Sequence, residues 1–122
     1  MKVLLFLCFV AASSMAAAKP PARECPAAPP GYAFSPPLTI AKIEHAEMAA
    51  FSHWQKIRPD LPKLPFGFMH AQWVAFKSTM RPGDEIVQFS SDAHSWQHLA
   101  GETGYAITRS GCIVKKFTTM VN

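Results

Sequence analysis

The sequence predicts an α+β fold: one long amphipathic helix packed on a small antiparallel β-sheet of about four strands, with a short helix between strands 2 and 3. Three observations carry that prediction. Residues 38–57 contain no Gly or Pro and repeat apolar side chains at helical spacing. From residue 70 onward the chain becomes rich in aromatic and β-branched types. Two turn signals, Arg81-Pro82-Gly83-Asp84 and Ser110-Gly111, punctuate that second half.

The N-terminus, MKVLLFLCFVAASSMAAAKPP, has a single Lys2, an apolar run from Val3 to Ala12 and small residues ending in Ala16-x-Ala18. This is the pattern of a secretory signal peptide, with cleavage expected near Ala18. Residues 1–18 are therefore read as a signal peptide and the mature chain as exported, periplasmic or secreted. No later apolar run approaches the roughly 20 residues of a spanning helix, so no transmembrane segment is predicted in the mature chain. Residues 19–37, KPPARECPAAPPGYAFSPP, form a Pro-rich N-terminal arm. Proline fixes φ and lacks an N–H, which excludes regular helix there. Tyr32 and Phe34 are placed to anchor the end of the arm. Residues 38–122 are expected to fold as a single α+β domain.

In the first helix Ile40, Ile43, Ala46, Ala50, Phe51, Trp54 and Ile57 recur at helical spacing between Pro37 and Pro59. A second Pro-rich connection, residues 58–67, follows, with Phe66 and Phe68 flanking Gly67 and expected to tuck it against the core. Residues 70–80, HAQWVAFKSTM, are read as the first strand. Arg81–Asp84 is turn chemistry, and residues 85–91, EIVQFSS, are the antiparallel partner. Ser91 or Asp92 suits the N-cap of a short helix in which Ala93, Trp96, Leu99 and Ala100 share a buried side. Gly101 or Gly104 is expected to end it in the left-handed conformation. A closing hairpin turns at Ser110-Gly111, with Arg109 opposite Cys112, Ile107 opposite Val114 and Tyr105 opposite Lys116.

The pattern RPGDEIVQFSS, then SWQHLAGETGYAITRSG, then a last strand ending T-x-M-x-N, resembles small uncharacterised exported bacterial proteins over residues 81–122. The resemblance implies a related fold. It brings no catalytic motif with it.

Functional classes narrow by what the side chains permit. The formal charge is +4, and the basic residues are scattered, with Lys115-Lys116 the only adjacent pair. Nucleic-acid binders concentrate positive charge on one face, so no nucleic-acid partner is expected. Cys8 leaves with the signal peptide; Cys25 and Cys112 remain, and an oxidising compartment favours a disulfide between them. The rival reading makes Cys112 a nucleophile assisted by a His, which requires a free thiolate.

His94 and His98 stand four residues apart, on one face of the short helix, and Asp92 adds a carboxylate just before it. Those three are the metal-ligand candidates. The zinc-protease pattern needs Glu directly after its first His, where Ser95 stands. A solvated histidine pair is the expectation, with no cofactor. His45, His53 and His70 are too dispersed to share an ion, and Glu44 with Glu47 reads as ordinary charge on one helix face. There is no G-x-S-x-G elbow, P-loop or dinucleotide fingerprint. Trp54, Trp73, Trp96, Tyr105, Phe76 and Phe89 are assigned mostly to the core, with a subset free to line a surface groove that the sequence does not select.

The resulting expectation is a small non-catalytic exported domain that binds an unknown protein or envelope ligand, as an accessory or inhibitor. The alternative is a small metal-binding protein or metalloenzyme using His94 and His98.

Overall fold

Thr39 starts the long helix. Its hydroxyl accepts the Lys42 N–H at 3.1 Å, satisfying one of the first-turn donors that have no partner inside a helix. The computed structural model describes Cys25 and residues 30–122; the signal-peptide reading and most of the Pro-rich arm fall outside the described residues. Helix α1 runs Ile40–Ile57, two residues shorter than expected at its start. Leu38 stays out of it because its N–H donates to Ile86 O at 2.7 Å, bridging to the sheet. The helix ends where the Arg58 N–H reaches Trp54 O and Pro59 follows. Its buried stripe is narrower than the apolar repeat: Ile43 and Phe51 are buried, whereas Ala46, Trp54 and Ile57 are exposed.

Residues 70–80 are not a strand. After a short 3-10 turn at Gly67–Met69, His70–Ser78 form helix α2. Met69, Trp73, Phe76 and Met80, at positions i, i+4, i+7 and i+11, all pack in one core, which is a helical period and not a strand's alternation. Trp73 is wholly buried there. Glu44 on α1 clasps the two helices together, accepting Trp73 Nε1 at 2.9 Å and Lys77 Nζ at 2.6 Å.

The sheet nevertheless has four strands, all antiparallel, in the order β1-β2-β3-β4. They are β1 (Ala33–Phe34), β2 (Glu85–Ser90), β3 (Glu102–Arg109) and β4 (Cys112–Val121). The strand expected at residues 70–80 is replaced by two residues of the arm, which pair with Ser90 and Phe89. The Arg81–Asp84 turn thus joins a helix to β2, with Gly83 at φ 86° and Asp84 N–H bonded to Arg81 O at 3.0 Å. The Asp84 carboxylate then grips Arg109 at the end of β3, through Nε at 2.9 Å and Nη2 at 2.8 Å. That guanidinium, with the Arg81 N–H, holds the Asp84 carboxyl down at about 2.

The hairpin turns where expected, with Ser110 at φ 53° and Gly111 at φ 78°, and Arg109 pairs with Cys112. A bulge between Ile107 and Thr108 then shifts the register, so Ile107 meets Lys115 and Tyr105 meets Phe117 instead of Lys116. The shift places Phe117 in the core with Trp73 and Phe76.

Helix α3 (Ala93–Gln97) lies between β2 and β3 and is capped by Asp92, whose Oδ1 accepts the Ser95 N–H at 2.8 Å. Its end differs from expectation: Leu99, at φ 57°, takes the left-handed position, and Ala100 N–H closes on Ser95 O at 2.8 Å. Ala93, Leu99 and Ala100 are exposed, so the buried side expected for α3 is absent. Trp96 is half-buried over Gly101, where an added Cβ would meet the indole at 2.2 Å. Asn122 secures this corner, its Oδ1 accepting Gly101 N–H at 2.7 Å while its Nδ2 donates to Trp96 O.

Alternation along β2 divides the core in two. Ile86 packs with Ile43, Trp73, Phe76, Ile107 and Phe117 beneath the helices. Val87, Phe89 and Ala106 face the other way and are covered by Tyr32, whose ring stacks on Phe89. The Tyr32 hydroxyl donates to Glu102, which also holds Lys116 Nζ at 2.6 Å. Cys25 and Cys112 are bonded, with Cα atoms 5.4 Å apart, and tie the arm to the start of β4. A Cys112 nucleophile is therefore overturned, because the sulfur is already committed.

Candidate functional site

Three successive turns of α1 present Glu47, Phe51 and Trp54 on one face, at i, i+4 and i+7. Opposite them stand Gln88, Thr103, Tyr105, Thr119 and Met120 of the sheet, and Leu61, Leu64 and Phe66 of the connection close one end. Together they enclose a groove of about 450 Å³. That volume lies within the range of binding pockets, and its lining is mainly apolar and aromatic with few polar groups.

The connection is shaped by its backbone. Leu61 N–H bonds Arg58 O at 3.0 Å and Gly67 N–H bonds Leu64 O at 2.9 Å. Phe66 sits at φ 64°, a left-handed conformation that a bulky residue rarely adopts. Packing holds it there: its ring lies 4.7 Å from Trp73, 5.0 Å from Phe117 and 5.7 Å from Tyr105, between centroids. Gly67 follows at φ 52°, and a Cβ there would meet Leu61 at 2.4 Å. The expectation that Phe66 tucks this segment against the core is met; Phe68 instead remains exposed, with the Arg58 guanidinium 5.1 Å from its ring centre.

Glu47 is the carboxylate that lines the groove. Its Oε2 accepts the Phe66 N–H at 3.3 Å, and the ion pairs among the described residues leave it out. Arg58, on the same groove, is engaged by Asp60 at 3.1 and 3.0 Å. Burial raises the Glu47 carboxyl above the usual carboxylate range, opposed only by the Phe66 N–H. Tyr105 is raised as well, first by burial and then by the Glu47 charge. A half-buried acid thus stands beside a phenol in an aromatic recess.

The sequence-derived candidates lie elsewhere. His94 and His98 stack, ring centres 4.0 Å apart, on the exposed face of α3. His98 Nδ1 is within 2.8 Å of His94 O, and Asp92 is occupied with its capping bond. Among the described residues no group of three His, Cys, Asp or Glu side chains converges as a metal site. His53 packs edge-on to Trp54, and His70 Nδ1 lies 2.9 Å from Pro65 O, steadying the connection. Glu44 and Glu47, read as surface charge, are both half-buried and turn to different neighbours. Trp54 and Tyr105 are the members of the aromatic set that line the groove.

No family model, curated protein or solved structure matches this chain. Among the described residues no helix is long and apolar enough to cross a membrane.

Proposed function

We propose that this chain is a small non-catalytic exported domain that docks a segment of a partner protein in the groove between α1, the 58–67 connection and the sheet. One observation carries the reading: the groove does not close over its apolar rim. Trp54, Leu64 and Met120 are 54%, 46% and 59% exposed, although all three line the recess, and Phe68 beside Arg58 is 55% exposed. A small molecule seated in the recess would leave that rim in water, whereas a polypeptide crossing it covers both. Trp, Tyr, Met and Arg are the side chains enriched at such interfaces, and contiguous exposed apolar surface marks them. Export is supported by the signal-like N-terminus and by the Cys25–Cys112 bond, which suits an oxidising compartment.

The test is selection of displayed peptides on the mature chain, residues 19–122, followed by affinity measurement on Met120→Arg and Trp54→Ala variants. Peptides selected on the parent chain are expected to lose at least tenfold in affinity on either variant, about 1.4 kcal/mol or more. Peptides that bind both variants as tightly as the parent chain would move the docking surface away from the groove.

A further inference from the structure

We infer that the groove receives a lysine side chain of the docked segment, with its ammonium on Glu47 and its stem along Phe51 and Trp54. This inference rests on the groove reading and gives it a ligand chemistry.

Three features of the recess point to a cation, and the hydrogen bond the Glu47 carboxylate already makes favours lysine over arginine. First, Glu47 is a half-buried carboxylate without a paired cation among the described residues, although Arg58 lies on the same groove. Taking an ionised carboxylate out of water is costly unless an opposite charge meets it. Asp60 holds the Arg58 guanidinium in a two-point contact, so the compensating charge is left to an occupant. Second, the walls around Glu47 are aromatic: Phe51, Trp54, Phe66 and Tyr105 all line the recess. Ring faces attract a cation and also cover an aliphatic stem. Third, the Tyr105 hydroxyl has no hydrogen-bond partner among the described residues and is available to accept from an ammonium.

The choice of lysine follows from the geometry of the carboxylate. Oε2 already accepts the Phe66 N–H at 3.3 Å. A guanidinium binds best through both oxygens at once and would have to share that one, whereas an ammonium is a point charge satisfied by one acceptor. The partly engaged carboxylate fits the ammonium better.

The experiment compares three capped pentapeptides, acetyl-Ala-Leu-X-Leu-Ala-amide, in which X is lysine, Nε-acetyl-lysine or norleucine. Each is titrated into the mature chain and followed by NMR at the Trp54 indole and the Tyr105 ring. The lysine peptide is expected to bind about five- to tenfold more tightly than the other two, the charge pair with Glu47 adding to the ring contacts. In Glu47→Gln, which keeps an acceptor for the Phe66 N–H, that preference is expected to shrink to about twofold or less, the part the rings supply. Equal affinity of the lysine and norleucine peptides for the parent chain overturns the lysine assignment while leaving an apolar docking groove. A lysine preference that persists undiminished in Glu47→Gln overturns the role of Glu47. Failure of all three peptides to move Trp54 or Tyr105 overturns the groove reading itself, and the lysine assignment with it.

Discussion

Glu44 and Glu47 stand one turn apart on α1, carry the same side chain and meet opposite fates. Glu44 turns toward α2 and is met by Lys77 Nζ at 2.6 Å and Trp73 Nε1 at 2.9 Å. Those two donors hold its carboxyl below the usual carboxylate range, outweighing the cost of burial. Glu47 turns toward the connection and the sheet, and there burial wins, with one backbone N–H set against it. The difference lies in partners and in depth: Glu44 meets two side-chain donors, whereas Glu47 sits deeper and meets a single backbone N–H. A carboxylate surrounded by donors fastens two helices; one left nearly without them keeps an unspent attraction for an incoming cation.

The largest break in this comparison comes from removing the shared core that positions both groups. Trp73 is fully buried and donates to Glu44. Trp73→Ala is expected to destabilise the domain by about 3–5 kcal/mol, the usual range for emptying a buried aromatic site. Urea unfolding measures it, and a loss under about 1 kcal/mol would mean that α2 is not the wall of the core. Trp96→Ala should cost clearly less, because that indole is only half-buried and its neighbours Ala93, Leu99 and Ala100 are exposed.

A smaller effect isolates the clasp. Glu44→Ala leaves the buried Trp73 Nε1 without its acceptor and is expected to cost about 1–3 kcal/mol. A double-mutant cycle with Lys77→Ala should show coupling of at least roughly 0.5 kcal/mol, and additive losses would deny the contact any energetic weight. Acid sharpens the point. Glu44 and Asp84 both have lowered carboxyls, from ordinary values of 4.5 and 3.8, with Asp84 near 2. Their contributions are present above the ordinary values and vanish as pH falls through the folded ones. Stability should therefore decline between about pH 4 and pH 2, and Asp84→Asn should flatten the lower part of that decline. Chemical denaturation at a series of pH values reads both.

Much of this architecture is legible in the sequence because it is local. The α1 period, the Asp92 cap and the Ser110-Gly111 turn each depend on residues within a few positions of one another. Residues 70–80 were open to misreading because Trp, Val and Phe favour strands by composition, while only two of α2's positions, Trp73 and Phe76, are fully buried. The helical signal was present in the spacing of Met69, Trp73, Phe76 and Met80. Strand β1 left no signal, since two residues cannot display a period. The groove was hidden for a different reason. Glu47 looks like surface charge until Phe66, nineteen residues later, and Tyr105 of β3 are brought against it. The register has the same cause: a bulge at Ile107 and Thr108, invisible to a pairing counted from the turn, brings Phe117 opposite Tyr105.

The smallest predicted effect has the opposite sign. Glu47→Gln removes a desolvated charge yet keeps an acceptor for the Phe66 N–H, so at pH 7 the variant is expected to be more stable than the parent, by about 0.5–1 kcal/mol. The pH dependence distinguishes this from a simple gain in packing. Glu47's folded carboxyl is raised above 4.5, so its neutral form prefers the folded state. The contribution is full below 4.5 and is lost as pH rises through the raised value, which makes the parent chain lose stability over that interval while the Gln variant does not. The advantage of Glu47→Gln should accordingly be absent below pH 4.5 and grow as pH rises through the raised value of Glu47, whereas Glu44→Gln should show a deficit that disappears as pH falls through the lowered value of Glu44. Paired urea titrations of the two Gln variants and the parent from pH 3 to pH 8 decide it. If Glu47→Gln is less stable than the parent at neutral pH, then its carboxylate is satisfied in the free protein, and the contrast between the two glutamates does not hold.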